Sequence, residues 1–398
     1  MEHMKKFMKV ATIMMAMGTI GSTLAGCSAS AKSEGNDPGK TIKIGVNMEL
    51  SGSAGAYGQA EKQGIALAAQ EINKAGGIKV GNTKKKIQMI YRDNKTSSSE
   101  SSSVAAQLVN NDKVQAVVGP ATTNAGTAAI PNITKAKVAA ISPSASDYSY
   151  TLQKDGKVQP YVFRTEYQNN FQGKVVSNFM SKNLKTKRVV IMADKSTDYG
   201  TGLAKEFKKD YPGTIVKTVY FQAGDKDFNA TLTSIKSKNY DAIFAPGYYS
   251  EVGLIVKQAR QMGITKPIVG TDGMADPKLT QIAGNSNATN VYYTTPFSTT
   301  AAASDKKASA FIKAFKAKYH EDAPTFSALG YDTVYMVKKA IETQKSANSV
   351  QIAKGMAKIK DFHGVSGTIT IDKKHNPQKT IAIEQLTNGK VAKAFTVK

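Results

Sequence analysis

The sequence predicts an α/β protein of two lobes, each a mainly parallel β-sheet flanked by helices. Three observations lead there. Short apolar runs alternate with helically spaced segments from Thr41 onward. The alternation restarts near Arg188. Cys27 is the only cysteine, so packed cores and not disulfides must hold the chain. A length of 398 residues suffices for about two or three domains.

Residues 1–26 have the layout of a secretory signal peptide: a basic start (Lys5, Lys6, Lys9), an apolar run from Val10 to Ile20, and small residues at Leu24-Ala25-Gly26-Cys27. That run is too short to span a bilayer, which needs roughly 17–25 apolar residues. The tetrapeptide resembles the lipobox of bacterial lipoproteins. This implies cleavage before Cys27, a diacylglycerol on its thiol, and an anchored protein on the extracytoplasmic face of the cell membrane. Ser28–Lys40 is small, polar and poor in apolar residues, and reads as a flexible tether.

The formal charge is +24. Removing the leader, with Lys5, Lys6, Lys9 and Glu2, leaves +22 on 372 residues. The lysines are scattered and no zinc-finger, basic-zipper or RNA-recognition signature occurs, so no nucleic acid is expected. An exported basic surface facing an anionic envelope is the simpler reading.

The elements follow in order. Ile42–Met48 is an apolar run and reads as a strand. Tyr57–Lys74 carries Ile65, Leu67, Ala68 and Ile72 at helical spacing and stops at Gly76-Gly77. Ile87–Arg92 reads as a strand and Ser98–Asn110 as a helix. Val114–Val118 is a strand, Ala125–Lys135 a helix interrupted at Pro131, and Val138–Ile141 a strand. In the second series, Arg188–Met192, Ile215–Tyr220, Ala242–Ala245 and Ile268–Gly270 are strands. Gly200–Lys209, Phe228–Lys236 and Val252–Met262 are the helices between them. Helices follow at Ser304–Lys318 and Phe326–Glu342. The chain closes with strands Gly367–Asp372, Ile381–Leu386 and Val391–Val397, the last two joined by Asn388-Gly389.

Ligands of open α/β sheets bind beyond the carboxyl ends of the strands. After Val114–Val118 comes Gly119-Pro120-Ala121-Thr122-Thr123-Asn124; after Val138–Ile141 comes Ser142-Pro143-Ser144-Ala145-Ser146-Asp147. Either loop alone is an ordinary helix cap. Together, on adjacent strand ends, they predict a carboxylate pocket. Asp272, after Ile268–Gly270, suits a ligand ammonium or a turn, and both readings stay open. Asp93, after Ile87–Arg92, has the same two readings, the turn foremost. Tyr57, Tyr199, Tyr248 and Tyr249 flank glycines in loops and suit the wall of a cleft or an exposed surface. His320, His363 and His375 lack ligand-spaced partners, and G-x-S-x-G, Walker A and G-x-G-x-x-G are absent. No metal, cofactor or catalytic residue is expected.

Several segments taken together resemble the leucine/isoleucine/valine-binding proteins, the branched-chain amino acid substrate-binding family of ABC importers. They are IKIGVNMELSGSAGAYGQAEKQGIALAAQEINKAGGI, VVGPATT, ISPSAS, DYGTG, KDFNATLTSIK, GYYSEVGLIVKQARQMG and GTDG. The likeness covers Thr41–Lys398. It implies a type I periplasmic-binding-protein-like fold with a three-stranded hinge near Arg164–Thr165, Thr295–Pro296 and Lys379–Thr380. The N-terminal lobe is then 41–164 plus 296–379, and the C-terminal lobe 165–295 plus 380–398.

The resemblance places Thr123, with Thr122, at the ligand carboxylate. It places Ser144, Ala145 and Ser146 at both carboxylate and ammonium, and Asp272 at the ammonium. Tyr57, Tyr199 and Tyr248 form the wall, and Phe326 the side-chain pocket. The chain departs from the best-known members in the shorter Asp272, in Ser146 for threonine, and in lacking a disulfide near the ligand loop. The implied function is capture of a small amino acid, foremost leucine, isoleucine or valine, by a monomer that delivers it to an ABC permease with its ATPase subunits. The alternatives are a sensor of the same fold and, last, an exported enzyme.

Overall fold

Ile42, Ile44, Val46 and Met48 are wholly buried, as are most residues between them. A strand covered on both faces belongs to the middle of a parallel sheet, and Ile42–Met48 lies between Ile87–Asp93 and Ala116–Val118. The computed structural model describes residues 34–397. The expected leader 1–26 and Cys27 lie outside the described residues. The first sheet is wholly parallel, in the order Ile87–Asp93, Ile42–Met48, Ala116–Val118, Ala139–Ser142, Val162–Arg164.

The second sheet has seven strands. Its parallel part runs Val291–Thr295, Ile268–Gly270, Ala242–Phe244, Arg188–Asp194, Thr214–Phe221. Ile381–Thr387 adds antiparallel to Val291–Thr295, and Lys390–Val397 adds antiparallel outside it through the turn at Asn388-Gly389. The expected α/β class and two-sheet build hold. Among the described residues no helix is long and apolar enough to cross a membrane.

The long helices Gly55–Lys74 and Thr325–Gln344 pack in backbone contact. A Cβ on Gly64 would stand 1.9 Å from the Ser327 carbonyl oxygen, and one on Gly330 would stand 2.4 Å from that of Glu61. No flexible side chain can yield there. Gly64→Ala should therefore cost about 3 kcal/mol of stability as an overpacking strain. Denaturant unfolding checks this: the midpoint falls with the slope unchanged. A midpoint within error of wild type would show that the helices slide apart freely.

Several elements differ from expectation. The helix expected to break at Pro131 runs unbroken over Thr123–Ala136, with Pro131 inside it on an exposed position. One missing N–H removes a single rung, which the solvent-facing side tolerates. Tyr199 and Tyr249 lie within the first turns of helices and not in loops, Tyr57 lies in the first turn of the expected helix, and these three and Tyr248 are buried. The strand Val291–Thr295 and the helices Asn169–Asn178, Pro277–Ala283 and Ser349–Met356 fall in stretches that carry no expected element.

The segment expected as tether is also docked from Glu34 on. Asn36 Nδ2 donates to the carbonyls of Val109 (3.2 Å) and Val114 (2.9 Å), and its backbone N–H donates to Ser349 Oγ (2.8 Å). Glu34 pairs with Lys137 at 2.7 Å. Residues 34–37 are thus part of the folded body.

Candidate ligand site

The strand order of the first sheet reverses between Ile42–Met48 and Ala116–Val118, and that of the second between Arg188–Asp194 and Ala242–Phe244. Loops leaving two strands on either side of such a reversal diverge and open a crevice. The segments after Met48 and Val118 in one sheet, and after Asp194 and Phe244 in the other, supply Tyr57, Thr122, Thr123, Tyr199 and Tyr248 to one cavity. Its free space is small, about 20 Å³, and it is also lined by Ala121, Ser144, Ser146, Asp272, Gly273 and Phe326. A larger groove of about 200 Å³, beside Pro296, Asp305, Val365 and Thr380, has no comparable convergence of polar groups on strand ends.

Buried carboxylates and hydroxyls lace the two serine- and threonine-rich loops together. Glu49 accepts from the N–H groups of Ala121 (2.8 Å) and Thr122 (2.9 Å) and from Thr122 Oγ1 (2.7 Å). Burial pushes the Glu49 carboxyl up, and these three donors pull it back. Ser142 Oγ donates to the Pro120 carbonyl at 2.5 Å, and the Asp147 N–H donates to Thr123 Oγ1 at 3.2 Å. The helix Thr123–Ala136 has no side-chain cap, so its first N–H groups remain available to an anion. Ser146 Oγ is buried without a partner.

Ala145 does not line the cavity. Its carbonyl accepts from the buried Arg164 (Nη1, 2.7 Å) and its N–H donates to Ser142 Oγ, which turns the residue away. Arg164 also donates to the Asp147 carbonyl at 2.6 Å, and burial lowers its guanidinium to about 10.

Asp272 opens a short turn after Ile268–Gly270 and is 2% exposed. Tyr199 Oη donates to its Oδ1 at 2.7 Å. Burial pushes the carboxyl up to about 6, against the pull of Tyr199. No cation faces it through an ion pair among the described residues. Asp93 is engaged as a turn acid by the Leu50 and Lys95 N–H groups and Ser51 Oγ, outside the cavity.

The wall is aromatic. Tyr57 meets Tyr248 and Tyr249 edge-on at 5.5 and 4.9 Å and Phe326 at 4.7 Å, and Tyr199 stacks on Tyr248 at 5.1 Å. The two sheets are also bonded across the crevice. Tyr57 Oη donates to the Gly273 carbonyl at 2.5 Å and accepts from the Tyr249 N–H at 3.2 Å. The Asp198 N–H donates to Asn124 Oδ1 at 3.1 Å. The cleft is closed in this structure.

Sequence reading missed Ala121, Gly273, Glu49 and Glu61. Glu49 had a signal, an acid at the end of an apolar strand, whereas Glu61 sits among Gln59, Lys62 and Gln63 and had none. The histidines stand apart from the cavity, with His363 on Asp305 and His375 on Val162. Among the described residues no group of three or more His, Cys, Asp or Glu is placed to hold a metal. The cavity thus offers hydroxyls and N–H groups on one side, a carboxylate on another and aromatic faces between. That set complements a small zwitterion with an apolar side chain.

The chain matches the family model described as periplasmic binding protein over residues 41–390. It is 30% identical over 337 residues to the leucine-, isoleucine-, valine-, threonine-, and alanine-binding protein of Pseudomonas aeruginosa, covering 84% of this chain and 86% of that protein. It is 28% identical to the Leu/Ile/Val-binding protein of Escherichia coli, over 88% of this chain and 92% of the other. Among solved structures it resembles the branched-chain amino acid transporter substrate binding protein LivJ of Streptococcus pneumoniae, in complex with isoleucine. The TM-score is 0.85 and the identity 47%, over 90% of this chain and 99% of that one. The leucine binding protein LivK of Thermotoga maritima gives a TM-score of 0.82 at 30% identity, over 90% of this chain and 98% of that one.

Proposed function

This chain belongs to the periplasmic binding protein family, a family of binding proteins and not of enzymes, and on that premise we propose that it is the amino-acid receptor of an ABC importer. The ligand is leucine, isoleucine or valine. One observation carries the reading: across an aromatic-walled closed cleft, the unpaired Asp272 carboxylate is joined by Thr123, Ser146 and uncapped helix N–H groups. A zwitterion buried there has both charges met, which offsets a desolvation cost of several kcal/mol. Tyr57, Tyr199, Tyr248 and Phe326 take the apolar side chain, and Thr122 and Ser144 complete the polar rim.

Capture proceeds by closure of an N-terminal lobe (41–164 plus 296–379) on a C-terminal lobe (165–295 plus 380–398), with hinges near Arg164–Thr165, Thr295–Pro296 and Lys379–Thr380. Two hydroxyl pairs support that hinge placement. Thr165 Oγ1 lies 2.7 Å from Thr333 Oγ1, and Thr295 Oγ1 lies 2.8 Å from Thr325 Oγ1, so both crossings lean on the helix Thr325–Gln344. Closure is a population shift, which requires tighter binding to the closed form. The receptor is a monomer held to the membrane through lipid on Cys27, and it passes its ligand to a permease driven by ATPase subunits.

The test is calorimetric titration of residues 28–398, unfolded and refolded to strip ligand, against the twenty amino acids, simple amides and urea. Binding of leucine, isoleucine or valine at micromolar affinity or tighter, without turnover, is expected. Silence across the panel from folded protein would remove the assignment of Thr123, Ser146 and Asp272.

A further inference from the structure

Beneath the ligand loops lies a buried carboxyl that does not itself line the cavity. Glu61, on the helix Gly55–Lys74, is wholly buried. Its Oε1 stands 2.5 Å from Ser144 Oγ, and its Oε2 has no hydrogen-bond partner. Ser144 Oγ also stands 2.9 Å from the Ala121 carbonyl oxygen. A carbonyl can only accept, and a hydroxyl holds one hydrogen. If Ser144 donates to Ala121, the second short contact needs a hydrogen from Glu61.

We infer that Glu61 is a positioning residue of the ligand site: it is present as the neutral carboxylic acid and donates to Ser144 Oγ, which in turn donates to Ala121 and ties the two ligand loops together. The inference deepens the amino-acid-receptor reading and rests on it for its functional consequence.

The surroundings agree. Burial pushes the Glu61 carboxyl well up, and the neighbouring buried carboxyls Glu49 and Glu166 push it in the same direction. On the neighbouring helix Thr325–Gln344, Asp332 is engaged by the N–H groups of Val365 and Ser366 and by Ser366 Oγ. The nearby cations point elsewhere: the half-buried Lys379 donates to Ser366 Oγ, and the buried Arg164 to the carbonyls of Ala145 and Asp147. The contrast with Glu49 is instructive. Glu49 receives three donors and suits the ionised form, whereas Glu61 receives none it can rely on. Two nearby carboxyls thus take opposite protonation states, each set by its own partners.

Infrared difference spectroscopy of wild type against Glu61→Gln at neutral pH reads the protonation state directly. Loss of a buried carboxylic-acid C=O stretch is expected; loss of a carboxylate band instead would overturn the inference. Leucine titration reads the positioning role. Glu61→Ala should weaken binding about tenfold, and Glu61→Gln, donating an amide N–H in place of the acid O–H, should restore it to within about threefold. Ser144→Ala should match Glu61→Ala, with little further loss in the double variant because the pair acts as one unit. Wild-type affinity in Glu61→Ala, or additive losses in the double variant, would remove the role. Should Glu61→Ala fail to fold, the infrared result and the Ser144→Ala affinity still decide. The infrared readout needs no ligand, so a failure of amino-acid binding leaves it legible.

Discussion

Asp272→Ala should weaken leucine binding by about 2–5 kcal/mol, the cost of leaving a buried charge without its counter-charge. The ligand ammonium would enter a site where Asp272 is 2% exposed and held by Tyr199 at 2.7 Å. Alanine leaves that ammonium with no carboxylate to meet it. The same group sets the acid limb of the pH profile. In the empty closed protein its carboxyl is pushed up to about 6 by burial. An ammonium beside it favours the ionised form and pulls the value down, so binding expels a proton where the empty site is protonated. Affinity should therefore be constant above about 6 and fall as pH drops below it, by up to tenfold per unit.

For the empty protein the sign is the reverse. A carboxyl raised on folding contributes stability that is fully present below the unfolded value of 3.8 and is lost as pH rises through about 6. Calorimetry between acid and neutral pH, with Asp272→Ala as the flat control, checks both. Unchanged affinity in Asp272→Ala would take this residue out of the site.

Tyr57→Ala should cost about 3 kcal/mol of ligand affinity and shift the liganded protein toward the open form. The residue is the hub of the closed cleft. Its hydroxyl joins Gly273 and Tyr249 across the lobes, and its ring touches Tyr248, Tyr249 and Phe326. Aromatic pairs contribute about 0.5–1.5 kcal/mol each beyond area burial, and a net hydrogen bond about 1 kcal/mol. The contacts with Gly273, Tyr248 and Tyr249 form across the cleft, so they act on the closed state and not on the open one, whereas Phe326 lies on the same side as Tyr57. Tyr57→Phe isolates the hydroxyl and should cost only about 1 kcal/mol. Small-angle scattering with saturating leucine is the direct check. A scattering profile and affinity equal to wild type would show that closure is driven elsewhere.

Much of the architecture was legible because its signals are local. The strand Ile42–Met48 and the helix ending at Lys74 declare themselves by apolar period and by the Gly76-Gly77 stop. The loops around Thr123 and Ser146 declare themselves by small hydroxylated residues at strand ends. The misses also have local causes. Asn169–Asn178 is a mostly polar stretch with a glycine in it, and Pro131 reads as a break although its position faces solvent. Docking of Asn36 was invisible because one amide in a polar segment has no period to betray it.

The sequence by itself determined the fold class, the strand ends that carry the polar loops, and the acid at Asp272. Those follow from spacing and side-chain chemistry within a few residues. Only the tertiary structure decided which of them meet. Tyr57 reaches Gly273 from 216 residues away, and Ser144 rests on Glu61 from 83 away. It also turned Ala145 toward Arg164 and away from the cavity. Contacts between distant segments depend on how the two sheets and the long helix pair pack. That packing is a property of the assembled volume and leaves no period in the chain.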